Sequence, residues 1–458
     1  MSAEFQNMLA DPRLQASKRG LLSTLAEYQE RLTGIRPPRE DLRESYEALL
    51  ERWGALRGGG LYYPYLGSGL GRGALVELAD GSVKYDFIIG IGVHFFGHGH
   101  PLLTEAALDA ALTNTVMQGN LQQNPISEEF ARLLLEGANA KSHCLDHVFL
   151  STSGAMAGEN AIKIIYQKKF PANRMLAFAG GFAGRTMAMS QISDKPTYRE
   201  GLPPSIAVDY VPFYDESRPS ASTAESLAAL RALIARYPGQ HAGMAFELVR
   251  GEGGFYPGTP EFFRTLMDEL RAHDIAILID EVQTFGRTPE LFAFQHFGLD
   301  EYAEVVTIGK LTQACATLFR ADYKPRPGLL SQTFTGATAA LFAGAAVLRE
   351  LGNGTYYGPT GRIQRLHDHF TGRLREIGTR TGKVEGPFGV GAMVAATILD
   401  GSMDRTRAFT KRLFEAGVIS FTAGKDPARI RFLLPAGAID EADIDAVCEI
   451  FEATLREF

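Results

Sequence analysis

Residues 275–310 read IAILIDEVQTFGRTPELFAFQHFGLDEYAEVVTIGK. The segment contains one apolar run at 275–282 and a second at 304–308, and both predict β-strands. The first run is apolar on both faces, which is typical of a parallel strand covered by helices on either side. Charged residues stand at or just after the end of each run. The segment therefore predicts two strands of a buried parallel sheet with polar chemistry at their carboxyl ends.

Helix and strand patterns alternate around this segment from about residue 100. The further predicted strands lie at 147–150, 174–178, 207–212 and 243–249, and the predicted helices lie at 101–114, 127–138, 155–169, 260–273 and 337–351. Regular alternation of this kind predicts an α/β fold with a doubly wound sheet. In such folds the ligand site lies at the carboxyl ends of the strands.

The pattern predicts three parts of the chain. Residues 1–60 form a helical N-terminal segment, and residues 97–345 form the large domain. Residues 61–96 contain Asp80-Gly81 between two apolar runs, which predicts a β-hairpin. After residue 345, helices and strands alternate in a smaller α+β pattern, and we expect 61–96 to join 346–458 in one small domain.

The composition excludes several classes of protein. Lys and Arg number 46 against 53 Asp and Glu, which gives a net charge of −7 and no basic patch for nucleic acid. No apolar run reaches the length that a membrane-spanning helix needs, and the N-terminus lacks the apolar core of a signal peptide. The three cysteines match no disulfide or metal spacing. We expect a cytoplasmic enzyme that binds neither nucleic acid nor membrane.

Two glycine- or histidine-rich stretches resemble sites but are better explained as structure. GSGLGRG at 67–73 has no strand before it and no amphipathic helix after it, so it does not predict a dinucleotide loop. His94, His98 and His100 lie in a loop without neighbouring carboxylates or thiols in the sequence, so we expect a turn and no metal site.

An acid and a lysine end the two strands of the opening segment. Side chains alternate along a strand, so Asp280 and Glu281 point to opposite faces and only one of them can reach a ligand. A buried carboxylate needs a partner, and a protonated ring nitrogen would serve as well as a salt bridge within the protein. Lys310 follows an apolar strand and a glycine, where desolvation lowers a lysine pKa and frees the amine as a nucleophile.

An anion site and two arginines complete the pattern. Ser153, Gly154 and Ala155 lie where a strand runs into a helix, and the free N–H groups of such a helix start can bind a phosphate. Arg431 lies in an otherwise apolar strand and needs an anion, as Arg185 in FAGRT would at a ligand site. A phosphate cup, a strand-end acid and a strand-end lysine together are typical of enzymes that use pyridoxal 5′-phosphate.

With these residues the sequence resembles the class III aminotransferases, also called ornithine-type or ω-aminotransferases, from about Gly73 to the C-terminus. The resemblance implies the fold of type I pyridoxal-phosphate enzymes and a homodimer or a dimer of dimers. It implies a small amine donor, and 2-oxoglutarate as the acceptor. It also implies roles for individual residues at the cofactor, namely Lys310 as the lysine that forms a Schiff base with the cofactor, Asp280 at the pyridine nitrogen, Gln283 near the ring hydroxyl, Phe182 stacked on the ring, Ser153, Gly154 and Ala155 around the phosphate, and Thr333 at the phosphate of the partner subunit.

For the substrate, the resemblance implies that Arg185 binds a distal carboxylate and that Arg431 binds the α-carboxylate. It implies that Glu252 is the acid that pairs with Arg431, and that Tyr62 or Tyr63 is an aromatic residue of the substrate pocket.

The sequence departs from the family in ways that bear on the substrate. Ala155 stands where the family usually has Thr or Ser, and LTQACATLF replaces a glycine-rich stretch after Lys310. This stretch and GAMAGENAIK at 154–163 resemble the lysine 6-aminotransferases. The implied donor is a diamino or ω-amino acid such as lysine, ornithine or acetylornithine. A racemase, aminomutase or decarboxylase on the same fold, or a non-catalytic protein that binds pyridoxal phosphate, remains as the alternative.

Overall fold

The computed structural model describes residues 2–115 and 119–458, and the chain folds into two compact units. Met1–Asp109 and Arg362–Phe458 form the first, which we call the two-part unit. Ala110–Gly361 form the second, which we call the large unit. The two ends of the chain therefore belong to the same unit.

The bounds of these units differ from the predicted domains at 61–96, 346–458 and 97–345. The helix Thr338–Leu351 lies wholly in the large unit, because it packs there against the helix Pro125–Ala138. The division after this helix therefore comes at residue 361 instead of residue 345.

The first 60 residues belong to the two-part unit and do not stand apart from it. Lys18 Nζ lies 2.7 Å from Asp109 Oδ1, and Gln29 Nε2 donates to the Gly71 carbonyl at 2.7 Å. These polar contacts attach the helix Pro12–Gln29 to the rest of the unit. The other N-terminal helices are Ala3–Leu9 and Arg43–Arg57, the last preceded by the 3₁₀ turn Glu40–Leu42.

A seven-stranded sheet forms the centre of the large unit. Its strands, in spatial order, are His147–Ser151, Cys315–Phe319, Val305–Ile308, Ala276–Glu281, His241–Phe246, Arg174–Phe178 and Ala207–Val211. Cys315–Phe319 runs antiparallel to both of its neighbours, and the other six strands are parallel to one another. The predicted α/β class with a mostly parallel sheet is confirmed.

Helices flank this sheet, and their sequences explain where they begin. Thr259 caps the helix Pro260–Ala272, and its hydroxyl accepts from the Phe262 N–H at 3.2 Å. Phe262, Leu266 and Leu270 are fully buried on one face of this helix, as the apolar spacing predicts. The other helices of four or more residues in the described part of this unit are Pro125–Ala138, Gly154–Lys168, Met189–Ile192, Pro219–Arg236, Gly251–Gly254, Ala293–His296 and Thr338–Leu351, with Pro101–Leu112 at the boundary.

Two four-stranded sheets occupy the two-part unit. The first contains the predicted hairpin, in which Gly81 takes a φ of 77° at the turn. Its strands are Gly67–Arg72, Leu75–Leu78, Val83–Asp86 and Val418–Ile419, and those of the second are Val384–Val390, Met393–Ile398, Ala428–Leu433 and Phe421–Gly424. The remaining helices of the unit are Ile89–Gly92, Arg362–Thr381, Met403–Ala416 and Glu441–Leu455.

The structure gives contacts for the two stretches that resembled sites in the sequence. Gly67–Arg72 is a strand antiparallel to Leu75–Leu78. His98 Nε2 lies 2.9 Å from Asp86 Oδ2, so the fold supplies a carboxylate that the local sequence lacks. Within the described residues, no group of three or more potential metal ligands comes together. Across residues 2–115 and 119–458, no helix combines the length and the apolar character needed to span a membrane.

Candidate active site

A cavity of about 250 Å³ opens in the large unit at the carboxyl edge of the sheet. Five parallel strands end beside it, and the segments at or after their ends supply the lining. This is the position at which a doubly wound sheet is expected to bind its ligand. The lining residues are Gly154, Ala155, Phe182, Ala183, Gly184, Glu247, Val249, Glu252, Asp280, Val282, Gln283, Thr284 and Lys310.

Asp280 presents its carboxylate to the cavity. Its Oδ1 accepts from the Val282 N–H at 2.9 Å and from the Thr307 hydroxyl at 3.2 Å. Burial raises the pKa of Asp280, while the Val282 N–H and the Lys310 ammonium lower it. A cation bound in the cavity would stabilise the ionised form further.

Glu281 points to the opposite face of the sheet, as the strand alternation predicts. It is fully buried and accepts from the N–H groups of Ala293 at 3.0 Å and Phe294 at 2.8 Å, and from the Thr284 hydroxyl at 2.6 Å. Burial raises the pKa of Glu281 to about 7. Because its hydrogen bonds are internal, Glu281 serves the fold and not the cavity.

Lys310 enters the cavity from a backbone in the left-handed region, with a φ of 54°. It follows the extended Gly309 and begins the 3₁₀ turn Lys310–Thr312. A non-glycine residue in this region costs about 1–3 kcal/mol, and such residues cluster at functional sites. Its ammonium and the Asp280 carboxylate lie close enough to interact electrostatically.

The start of the helix Gly154–Lys168 forms one end of the cavity. The Ser153 hydroxyl caps the helix by accepting from the Met156 N–H at 3.2 Å, which leaves its own proton for another acceptor. A Cβ at Gly154 would lie 2.5 Å from Val282 Cγ1, so only glycine fits between the helix start and the cavity wall. Gly154 and Ala155 line the cavity, where the unpaired N–H groups of the first turn can bind an anion.

Phe182 and Gln283 form two further walls. The Phe182 ring meets the Tyr198 ring edge-on, with 6.0 Å between the centroids. Gln283 is buried, and its Oε1 has no hydrogen-bond partner among the described residues. A buried acceptor in this state costs free energy unless a ligand donates to it. Gln283 is therefore suited to a ligand hydroxyl.

The cavity fits the pyridoxal phosphate that the sequence resemblance implies. Gly154 and Ala155, with the Ser153 hydroxyl, would hold the phosphate, and Asp280 would hold a protonated ring nitrogen. The orphaned Oε1 of Gln283 would accept from the ring hydroxyl. Lys310 is the only lysine among the described residues that line this cavity, so its amine would be the nucleophile toward the cofactor.

Two residues predicted to contact the substrate lie beside the cavity. Glu252 belongs to the turn Gly251–Gly254 and lines the cavity, with its Oε2 4.0 Å from Lys195 Nζ. Arg185 is exposed, and its guanidinium carbon lies 4.0 Å from the centroid of the Tyr198 ring. Stacking on this aromatic face holds the arginine in place while its N–H groups remain available.

The remaining predicted residues are not among those that line this cavity. Thr333 is exposed at the start of the 3₁₀ turn Thr333–Gly336. In the two-part unit, Arg431 is fully buried in the strand Ala428–Leu433. The roles of Thr333 and Arg431, and the pairing of Arg431 with Glu252, stay predictions.

Tyr62 and Tyr63 pack within the two-part unit. The Tyr63 hydroxyl donates to the Ser420 carbonyl at 2.8 Å, and its ring stacks on Phe414. Tyr62 is 39% exposed and meets the Tyr63 ring edge-on. Tyr62 is thus the more accessible of the two for a substrate role, which stays a prediction.

Sequence reasoning missed Glu247, which lines the cavity beside Asp280. Its Oε2 accepts from the Phe182 N–H at 2.7 Å, and its Oε1 accepts from the Gly251 N–H at 3.1 Å. Burial, together with the nearby Asp280 charge, raises the pKa of Glu247 to about 7, although the Phe182 and Gly251 N–H groups act to lower it. The signal was available, since Glu247 is an acid at the end of an apolar run, as Asp280 is.

Comparisons with known proteins show the family of this chain. The model of the family "Aminotransferase class-III" matches residues 68–455. An acetylornithine aminotransferase of Caldanaerobacter subterraneus subsp. tengcongensis is 27% identical over 401 residues, covering 84% of this chain and 94% of the relative. A succinylornithine transaminase of Salmonella choleraesuis is 28% identical over 376 residues, covering 78% and 85%.

The fold is similar to that of a solved structure. The structure of a lysine aminotransferase from M. tuberculosis superposes with a TM-score of 0.78 at 24% identity, covering 89% of this chain and 99% of that one. Since the family model spans most of the chain, including every lining residue of the cavity, the protein belongs to the class III aminotransferases and is a pyridoxal-phosphate-dependent enzyme.

Proposed function

We propose that the enzyme transfers the terminal amino group of a diamino or ω-amino acid to 2-oxoglutarate. The observation that carries this proposal is the Glu252 carboxylate on the cavity wall, with only 16% of its side chain exposed. A negative charge there repels a carboxylate on the reacting carbon. A terminal amine has no such carboxylate, so Glu252 favours it over an α-amino group.

The relatives support the same class of donor. They are named for acetylornithine, succinylornithine and lysine, which are diamino acids or their acylated forms. Arg185, which stacks on the Tyr198 ring, would bind the carboxylate at the far end of such a molecule. Arg431 would pair with Glu252 while the amine donor is bound. When Glu252 releases Arg431, this arginine would bind the second carboxylate of 2-oxoglutarate.

The chain's own residues divide the work of the reaction. When bound, pyridoxal phosphate supplies the aldehyde that takes up the amino group and the ring that accepts electrons from the substrate carbon. Lys310 Nζ would take a proton from the substrate carbon as general base and deliver it, as general acid, to the cofactor carbon that receives the amino group. Asp280 would hold the ring nitrogen in its protonated form, and Phe182 would orient the ring.

A donor panel tests the proposal. The purified holoenzyme is mixed with 2-oxoglutarate and, in separate reactions, with lysine, ornithine, acetylornithine, a short ω-amino acid and alanine, and glutamate is measured. We expect glutamate from one or more of the terminal amines at rates well above that with alanine. Glutamate from alanine alone, or amine consumption without glutamate, would overturn the proposal.

The proposed reaction has two halves: in the amine half-reaction the donor gives its amino group to the cofactor, and in the 2-oxoglutarate half-reaction the acceptor takes it. Replacing Arg431 and replacing Glu252 should affect these two half-reactions in opposite ways. Arg431→Ala is expected to raise the barrier of the 2-oxoglutarate half-reaction by about 2–5 kcal/mol, because a buried carboxylate loses its cation. The amine half-reaction should change little. Glu252→Ala should instead make α-amino acids better donors relative to terminal amines. Single-turnover rates, followed by the cofactor absorbance, measure both effects.

Arg429→Ala is the matched control, since Arg429 is a buried arginine of the same strand. It is expected to slow both half-reactions to a similar extent. If Arg431→Ala also slows them equally, Arg431 is structural and the proposed donor preference loses its support.

We also propose that the active enzyme is a dimer in which Thr333 completes the phosphate site of the partner subunit. Thr333→Ala and Lys310→Ala then damage different sites of a mixed dimer, so one site stays intact. Mixing the two inactive variants under exchange conditions should restore activity in proportion to the heterodimer formed. Full activity in a preparation shown to be monomeric would contradict the assignment.

A further inference from the structure

Glu247 joins two separate loops at the cavity. The first, residues 180–184, contains Phe182, whose N–H donates to Glu247 Oε2 at 2.7 Å. The second, residues 250–254, contains Gly251, whose N–H donates to Glu247 Oε1 at 3.1 Å. Both oxygens of one carboxylate are thus used, each on a different loop.

Arg250 makes a second link between the same loops. Its Nη2 donates to the Gly180 carbonyl at 3.2 Å. The approach is close, since a Cβ at Gly180 would lie 2.4 Å from Arg250 Nη2. Glycine at position 180, where φ is 70°, therefore lets the two loops meet near Glu247.

We propose that Glu247 is a positioning residue that sets the distance between the two walls of the cofactor cavity. Loop 180–184 carries Phe182, the wall against the cofactor ring, and loop 250–254 carries Glu252, the acidic wall. The carboxylate of Glu247 holds both backbones at once. The consequence for the cofactor follows from the cavity itself, whereas the consequence for donor choice through Glu252 rests on the proposed function.

Glu281 provides a matched control within the same chain. Like Glu247, it accepts from two backbone N–H groups, those of Ala293 and Phe294. It points away from the cavity and is fully buried. The hydroxyl of Thr284, a lining residue, also donates to Glu281, so Glu281→Gln reports the loss of such a carboxylate that does not join the two cavity loops.

The test compares Glu247→Gln with Glu281→Gln as holoenzymes. Glutamine keeps one acceptor oxygen, so one of the two loop contacts is lost in Glu247→Gln. We expect cofactor to dissociate about 10-fold faster from this variant. We also expect the backbone amide hydrogen of Phe182 or Gly251 to exchange with solvent about 10-fold faster. Glu281→Gln should lower the thermal midpoint but leave cofactor dissociation and these two amides within about twofold of wild type.

The proposal is overturned if Glu247→Gln changes neither the rate of cofactor dissociation nor the hydrogen exchange of the Phe182 and Gly251 amides. Equal changes in both variants would also overturn it. Should Glu247→Gln fail to fold, exchange in the wild-type holoenzyme decides the matter. Slow hydrogen exchange at the Phe182 and Gly251 amides supports the positioning role of Glu247, and exchange at the rate of exposed amides refutes it. None of these measurements uses a substrate, so a failed donor panel would refute the proposed function and leave this inference standing.

Discussion

Lys310→Ala is expected to lower the rate of glutamate formation by about 10⁴-fold or more, because the variant loses both the nucleophile and the group that moves the proton. Lys310 is the only lysine among the described lining residues, so no other lysine of that lining can replace it. Steady-state assays with saturating cofactor measure the loss. Circular dichroism and thermal unfolding should show a folded protein.

Two companion variants sharpen this result. Lys310→Gly should be equally inactive but more stable than Lys310→Ala by about 1 kcal/mol, since glycine adopts the left-handed backbone without strain. Lys163→Ala removes a lysine whose Nζ contacts only the Leu329 carbonyl among the hydrogen bonds of the described residues, and it should keep wild-type activity. An active Lys310→Ala variant would show that the reaction does not use this amine.

Asp280→Ala is expected to raise the barrier of both half-reactions by about 3–5 kcal/mol, the usual cost of removing one member of a buried charge pair. At about 1.4 kcal/mol for each factor of ten, this is a loss of roughly 10²–10³·⁵-fold. The reason is that the ring nitrogen would no longer be held in its protonated form. Both half-reactions should suffer, in contrast to Arg431→Ala.

Asp280→Asn separates charge from shape, and we expect it to be nearly as slow as the alanine variant. Thr307→Val removes only one hydrogen bond to Asp280 and should cost about 1 kcal/mol. Wild-type rates in Asp280→Asn would mean that the negative charge is not needed at the ring nitrogen.

The part of the site that could be predicted depends on local pattern. The alternation of a strand was enough to separate Asp280 from Glu281, and the structure places them on opposite faces. Small residues between a strand and an amphipathic helix were enough to place Ser153 and Gly154 at a helix start. Such features depend on residues only a few positions apart.

The features that were missed depend on contacts between distant segments. The predicted strand at 243–249 runs through Glu247, whereas the strand ends at Phe246 and leaves Glu247 to bind two loops. The strand Cys315–Phe319 was not predicted, because it is short and enters the sheet antiparallel after a left-handed turn at Lys310. Neither the register of a sheet nor a reversed strand is visible in a local apolar pattern.

Identifying the lysine that carries the cofactor tests the site most directly. The holoenzyme is treated with borohydride, which makes the bond between cofactor and lysine permanent, and the digested protein is analysed by mass spectrometry. We predict a single cofactor adduct, on the peptide that contains Lys310, with its mass on Nζ of that residue. An adduct on any other lysine, for example Lys195 beside the cavity, would contradict the assignment of the active site.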